Sequence, residues 1–452
     1  MKPVLPQVTL LCADCTDKID WSLRAMQKSL EQCSFAEAKC LSHHSAIQYR
    51  IPRIAGLDGY SKFCIRDMHK YVDTTHALVV QYDGFVLNGQ AWMDEFLKWD
   101  YIGAPFQPTG IIGNGGFSLR SKRLMEWMAK QGWEDFHPED SCICVRHREE
   151  IECAGFKIAI PQVATRFAME GRCWNSKEWE SMPKEWNGQF GFHSLLTVLP
   201  AEHRVCNIFT HSGDAGDVIY SLAAVKALGG GMMFLTPHNK YPYPLNSRWA
   251  RMGGEADWVD NLAPLIEAQS YILKCRYTHG HPASTTHDLN RFRIPWKQRS
   301  AKDNDSILKL HMDAFSLPMP TEPWLTVPNP IAIPNRPIVV NRTQRYQNHE
   351  FQWTRFIEKF HDQMLFVGTH QEYELLCGMA PTFKFDYYET KNALDLARVI
   401  AGSKLFVGNQ SLPLAIAHGL RKNVVVEEWK ANPNTRIERL GAWYDLTEEM
   451  LA

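Results

Sequence analysis

Three short pieces of the sequence carry side chains able to do proton and charge chemistry. Asp83 stands in "QYDGFVLN", directly after the apolar run "ALVVQY" of Ala77–Tyr82. A carboxylate at the carboxyl end of a buried strand can hold a divalent cation against a diphosphate, because Mn2+ and Mg2+ favour oxygen ligands. The Asp83-Gly84 pair is also ordinary turn chemistry. Next come Asn114, Gly115 and Gly116 in "GNGGFSLRS". Adjacent glycines let a ligand approach the main chain, and equally they make a hairpin turn. Third is "HPED": Pro138 at a first helical position with Glu139 and Asp140 behind it makes a sound helix start. One of those two acids, close to the glycine turn, would also take the proton of an attacking hydroxyl.

A second set lies further on. "GDAGDVIYSLAAVKAL" places Gly213, Gly216 and Asp217 between a strand and a helix. Backbone N–H groups at a helix start favour anions, and Asp217 could equally cap the helix. The spacing is not G-x-G-x-x-G, so a dinucleotide site is unsupported. Arg342 follows the strand "PIVVN", where a guanidinium could pair with a phosphate through two parallel hydrogen bonds.

The elements that must position these residues follow an alternating rhythm. Short apolar runs predict strands at Val8–Cys12 and Ala77–Tyr82, with helix-spaced apolars across Tyr60–Val72 between them. Arg172–Pro200 is rich in Trp, Lys, Glu and Pro and predicts an irregular closing segment. From Val205 a new strand–turn–helix pattern starts, and such alternation implies parallel βαβ units. Thr321–Arg336, punctuated by Pro323, Pro328, Pro330 and Pro334, predicts a linker between two half-domains. Strands then follow at Pro337–Asn341, Met364–Val367, Lys404–Val407 and Val424–Glu427, with helices between, a doubly wound α/β pattern.

Composition limits the classes. The 452 residues are enough for about three lobes. Lys plus Arg number 49 against 50 Asp plus Glu, so no global field draws nucleic acid or an anionic membrane. Two local stretches, "RFRIPWKQRSAK" from Arg291 and "NRTQRYQNHEFQWTR" from Asn341, mix basic and aromatic residues and would suit a nucleic-acid backbone; solvated faces explain them equally. The twelve cysteines lack regular spacing, so Cys12/Cys15 and Cys142/Cys144 read as buried thiols in a reducing cytoplasm, not as a zinc site. No stretch reaches the ~18 apolar residues of a membrane span, and the amino terminus has no secretory pattern.

Joined together, these pieces carry two resemblances. "YSKFCIRDMHKYV", "LVVQYDGFVLN", "YIGAPF", "GNGGFSLRS", "PEDSCIC" and "FGFH" make Tyr60 to about His193 resemble a glycosyltransferase-like domain of bacterial and phage proteins. The layout also resembles the metal-dependent β-1,4-galactosyltransferases. That resemblance implies a GT-A-like domain over 1–203, with Asp83 and His193 as ligands of Mn2+ or Mg2+. It further implies Asn114, Gly115 and Gly116 at the sugar, Asp140 or Glu139 as base, a UDP-sugar donor and inversion. The family's Asp-x-Asp appears here as Gln81-Tyr82-Asp83. From Arg204 to about Tyr444, "GDAGDVIYSLAAVKAL" and "KLFVGNQSLPLAIAHGL" resemble the ADP-heptose:lipopolysaccharide heptosyltransferases. This implies a GT-B-like pair of facing Rossmann-like halves, 204–330 and 331–452. Asp217 would be the base, and Asn409, Gln410 and Ser411 would meet the donor phosphates. The family's loop is usually Asp-Thr-Gly.

The expectation is therefore a cytoplasmic α/β protein with two glycosyltransferase modules. Each would move a sugar from a nucleotide-sugar to a hydroxyl, the acceptor being a glycan. The alternatives are a phage enzyme acting on hydroxymethylated DNA bases, or one active module with a non-catalytic binding lobe.

Overall fold

The computed structural model describes residues 2–105, 112–170, 186–193, 199, 206–236, 255–278, 285–294 and 305–451, with side chains from 259 onward in the helix that starts at 255. The chain forms two compact units, Met1–Val205 and Cys206–Ala452. Both are mixed α/β, the first on mixed sheets and the second on parallel ones.

In the first unit, strands β1 (Val4–Ala13), β2 (Ser34–Ser42), β3 (Tyr49–Arg50) and β4 (His76–Val79) run parallel in the order β3-β2-β1-β4. Val8, Leu10, Leu11, Leu78 and Val79 are fully buried, as expected for strands covered on both faces. After β5 (Gly84–Val86), two further strands complete the main sheet: β6 (Tyr101–Gly103) and β7 (Ser118–Ser121). β7 inserts between β4 and β6 and runs antiparallel to both, with Val79 opposite Ser118. The residues leaving β4 and those entering β7 therefore meet at the carboxyl end of β4.

A small second sheet starts just after β4. It joins β5, β9 (Gly191–His193) and β8 (Ala168–Glu170) in the order β5-β9-β8. Gly84 lies opposite His193, and His193 opposite Glu170. The run Ala77–Tyr82 is strand only to Val79; Gln81 and Gly84 close a turn by exchanging backbone hydrogen bonds of 3.0 Å. Of the segment Arg172–Pro200, residues 172–185, 194–198 and 200 lie outside the described residues.

Among the described residues the second unit holds two sheets, parallel throughout. The first is β12-β11-β10-β13, from β10 (Asn207–His211), β11 (Gly231–Leu235), β12 (Ile272–Tyr277) and β13 (His287–Asp288). The second is β16-β15-β14-β17-β18-β19, from β14 (Ile338–Asn341), β15 (Met364–Val367), β16 (Asp386–Tyr388), β17 (Leu405–Asn409), β18 (Asn423–Glu427) and β19 (Ala442–Trp443). In each sheet the strand order reverses beside the first strand of the half, β10 or β14. This is where open α/β sheets form a crevice.

One apolar core crosses both halves. Val218, Leu222 and Val225 of the helix Ala215–Ala227 pack with Leu414, Ala415 and Ile416 of the helix Leu412–Gly419. Burying each Val, Leu or Ile side chain among them contributes about 1.5–3 kcal/mol. Thr321–Arg336 has no helix or strand, but it is anchored rather than loose: Trp324 is buried and its indole N–H donates to the Ile219 carbonyl at 3.0 Å. Of the basic stretch from Arg291, residues beyond Ile294 up to Lys302 lie outside the described residues. No helix among the described residues is long and apolar enough to cross a membrane.

Candidate functional site

In the first unit, the turn after β4, the glycine turn before β7 and the small sheet bring the sequence candidates together. Asp83 and His193 are buried, and Asp83 Oδ1 lies 3.7 Å from His193 Nε2. Asp83 Oδ1 has no hydrogen-bond partner, a costly state for a buried carboxylate oxygen. The other ring nitrogen, His193 Nδ1, lies 3.0 Å from Glu170 Oε2 and 2.7 Å from Asn114 Nδ2. A carboxylate behind an imidazole fixes the ring's orientation, with Nε2 on the side of Asp83. Glu170 was not foreseen from the sequence, since a three-residue strand ending in a lone acid carries no pattern.

Asn114 also shapes the turn. Its Oδ1 accepts the N–H groups of Gly116 (3.0 Å) and Phe117 (3.3 Å). Gly116 is required by contact: a Cβ there would lie 2.2 Å from His193 Nε2. A Cβ on Gly115 would lie 2.3 Å from Glu139 Oε1.

The two acids of "HPED" separate. Glu139 is buried against Arg120, whose Nη2 donates to its Oε1 at 3.1 Å. Asp140 instead accepts the Gly115 N–H at 3.3 Å on Oδ2 and the Ser141 N–H at 2.6 Å on Oδ1. Burial, then the neighbouring Glu139 charge, push the Asp140 carboxyl up to about 6.

Asp83 and His193 suit a divalent cation: an orphaned buried carboxylate oxygen beside an oriented imidazole is a fitting pair of donors. Among the described residues no group of three or more His, Cys, Asp or Glu is arranged to hold a metal. Of the described residues of these types, Asp83 and His193 would be the ligands, with other positions open to water or phosphate oxygens. Cys12, Cys15, Cys142 and Cys144 are buried free thiols.

In the second unit, Asp217 lies in the first turn of the helix after β10, with Arg293 Nη2 3.9 Å from its Oδ2. Burial lifts the Asp217 carboxyl to about 7, Arg293 opposing and Asp214 adding to the rise. Arg293 is itself placed by Asn290, whose Oδ1 accepts from Arg293 Nη1 at 2.7 Å and from Ser212 Oγ at 2.7 Å. That ties the loops after β10 and β13 together at the crevice. Gly213 N–H donates to His211 Nδ1 at 2.7 Å, and burial holds His211 and His311 far below the usual imidazole range, hence neutral. A Cβ on Gly213 would lie 2.2 Å from His211 Cε1. A Cβ on Gly216 would only graze Ser411 O at 3.9 Å, so the two helix starts face each other with little between them. Arg345 Nη1 reaches Asp214 Oδ2 at 3.6 Å from the other half.

Other candidates in this unit are committed to the protein itself. Arg342 places both arms of its guanidinium on Glu427, at 2.9 and 3.0 Å, and Glu427 is fully buried. Its fork is occupied, and the exposed cation nearby is Arg345. Asn409 and Gln410 are buried, and both amides are spent on neighbouring backbone. Ser411 Oγ donates to Asn341 Oδ1 and the Asn409 carbonyl, both at 3.0 Å.

Residues 45–187 match a family described as protein of unknown function (DUF5672). No curated protein matches the chain. Solved structures similar to it include the glycosyl transferase family 9 from Veillonella parvula DSM 2008, at 12% identity, 53% of this chain, 85% of that chain and a TM-score of 0.29. E. coli heptosyltransferase WaaC with ADP-2-deoxy-2-fluoro heptose matches at 13% identity, 52% of this chain, 91% of that chain and a TM-score of 0.30. The bacterial iron-containing dodecameric glycosyltransferase TibC from enterotoxigenic E. coli H10407 matches at 11% identity, 53% of this chain, 62% of that chain and a TM-score of 0.32.

Proposed function

We propose that the chain is a two-module glycosyltransferase, its first unit GT-A-like and its second a GT-B-like pair. The observation that carries this reading is the Asp83–His193 pair beside a glycine turn that Asp140 touches. A donor diphosphate, an anomeric carbon and an acceptor hydroxyl need a cation, an unobstructed backbone and a base within one small space. Asp83 and His193 would hold Mn2+ or Mg2+, which when bound neutralises the departing nucleoside diphosphate. Asp140 would take the acceptor proton: lifted to about 6, it is a stronger base than an ordinary carboxylate yet still ionised at neutral pH. Gly115 and Gly116 leave room for the sugar. The donor would be a UDP-sugar, the outcome inversion and the acceptor a glycan.

In the second module Asp217, lifted to about 7 between two facing helix starts, would be the base. Donor phosphates would meet the helix start at Leu412 and Arg345, not the side chains of Asn409–Ser411. Because those side chains are spent on the protein, a second reading stands beside this one: a non-catalytic lobe that binds carbohydrate.

A panel of nucleotide-sugars scored for nucleoside diphosphate release tests both. It is run with and without Mn2+, on the parent chain and on Asp83→Ala and Asp217→Ala. Loss of one donor's turnover in each variant supports two catalytic modules. A silent Asp217→Ala supports the binding lobe, and a silent Asp83→Ala refutes the first site.

A further inference from the structure

Two ligand-type atoms border Gly116, and a third stands beside them. A Cβ on Gly116 would lie 2.2 Å from His193 Nε2 and 2.9 Å from Gln81 Oε1, so both atoms flank the space that glycine leaves. Asp83 Oδ1 is 3.7 Å from the same His193 nitrogen. That separation suits two ligands of one ion, each bond being about 2.1 Å. Gln81 and Asp83 belong to one turn, closed by backbone hydrogen bonds of 3.0 Å in each direction between Gln81 and Gly84. The turn is seated on the glycine loop: a Cβ on Gly84 would lie 2.8 Å from the Gly116 carbonyl oxygen.

The Gln81 amide has a fixed sense. Its Nε2 donates to the Tyr60 hydroxyl at 2.9 Å. That hydroxyl also reaches the Cys64 thiol, to which it can donate while accepting from Gln81. With the NH2 group turned to Tyr60, Oε1 lies on the side of Gly116. An amide oxygen is a hard, neutral ligand of the kind that Mg2+ and Mn2+ take.

We infer that Gln81 Oε1 is a third ligand of the cation that Asp83 and His193 would hold. This rests on the cation reading of the first site and adds how the ion is kept there. Where the galactosyltransferase motif has an acid, this chain has a neutral amide, so the three direct ligands carry the charge of Asp83 alone. Such a set holds a dication weakly until diphosphate oxygens add their own charge. The ion and the nucleoside diphosphate therefore bind together, each raising the other's affinity by the same factor.

The test is calorimetric titration of the full chain with Mn2+, with and without UDP. The parent should bind Mn2+ about tenfold or more tightly with UDP than without. Gln81→Glu keeps an oxygen and adds a charge; without UDP it should bind Mn2+ about tenfold more tightly than the parent and so narrow that difference. With UDP, Gln81→Ala should weaken Mn2+ binding by about tenfold or more. Tyr60→Phe frees the amide but keeps its oxygen, and should weaken binding less. Thermal unfolding of each variant reports that the fold is kept. Gln81→Ala matching the parent, while Asp83→Ala loses the ion, overturns Gln81 as a ligand and leaves the Asp83–His193 pair. Equal losses in Tyr60→Phe and Gln81→Ala, or a Gln81→Glu no tighter than the parent without UDP, make Gln81 a support of the turn and overturn it likewise. A parent that binds no Mn2+ overturns both.

Discussion

Arg120 and Glu139 form an ion pair sealed from solvent, 3.1 Å between Nη2 and Oε1, with the arginine side chain fully buried. The same Nη2 donates to the Gly115 carbonyl at 3.1 Å. The pair therefore ties the helix start at Glu139 to the glycine turn. Glu139 is occupied by this bond, and its charge is the neighbour that helps raise Asp140, the proposed proton acceptor.

Glu139→Gln should separate these roles. Without the adjacent charge, the Asp140 carboxyl falls below about 6, so the acidic limb of the first module's pH–rate profile moves to lower pH. The variant should also lose about 3–5 kcal/mol of stability, because Arg120 is left buried and unpaired. An unmoved acidic limb in a variant that still folds would show that Glu139 does not act on Asp140.

Asp140→Asn should lose turnover by about 10²–10⁴-fold while gaining stability at neutral pH. The native carboxyl keeps its proton up to about 6, whereas the unfolded chain releases it near 3.8. Between those values the native state holds more protons than the unfolded one, so stability falls as pH rises and levels off above about 6. Discounted for partial solvent access, the cost is about 1–2 kcal/mol. Thermal unfolding well above pH 6 should thus show the asparagine variant more stable than the parent, and a less stable variant would contradict the raised carboxyl.

Arg293→Gln should act on Asp217 in the opposite direction from Glu139→Gln on Asp140. Arg293 stabilises the ionised carboxylate, so its removal lifts Asp217 further above about 7. The acidic limb of second-module turnover should move to higher pH, with the alkaline plateau little changed. A plateau that collapses without any movement of the limb would mark Arg293 as a structural residue only.

Mn2+ titration followed by calorimetry tests the first site without relying on turnover. The parent chain should bind Mn2+ in the presence of UDP, and Asp83→Ala and His193→Ala should each weaken it by at least about tenfold. Gly116→Ala should do likewise, since its new Cβ would displace His193 Nε2 from 2.2 Å away. Binding that survives all three changes would place the cation elsewhere.

Where the sequence spoke through continuous patterns, it located elements closely. The run at Met364–Val367 is β15, Val424–Glu427 lies within β18, and the helix expected from Asp217 spans Ala215–Ala227. These segments are buried by their own apolar repeat, so local composition reports their environment. The small sheet around His193 gave no such signal. Its strands are three residues long, and Gly84 meets His193 only through pairing across more than a hundred residues, with Glu170 joining from the neighbouring strand. The antiparallel insertion of β7 was equally invisible, because "SLRS" is short and its neighbours are set by topology. Charged pairs were the least legible class: a sequence shows that Arg342 is charged, not that Glu427 lies opposite it.

Arg342 accordingly gives a prediction in which structure and motif part company. Its fork lies on a fully buried carboxylate that also accepts the Trp353 indole N–H at 2.8 Å and the Asn348 N–H at 2.9 Å. Arg342→Ala should strand that charge and cost about 3–5 kcal/mol, read as a lower midpoint in urea. Arg342→Ala combined with Glu427→Gln should recover part of the loss, since no uncompensated charge remains buried. Nucleoside diphosphate affinity in the folded fraction should change little. A variant that keeps its midpoint but loses that affinity would return Arg342 to the role of a phosphate ligand.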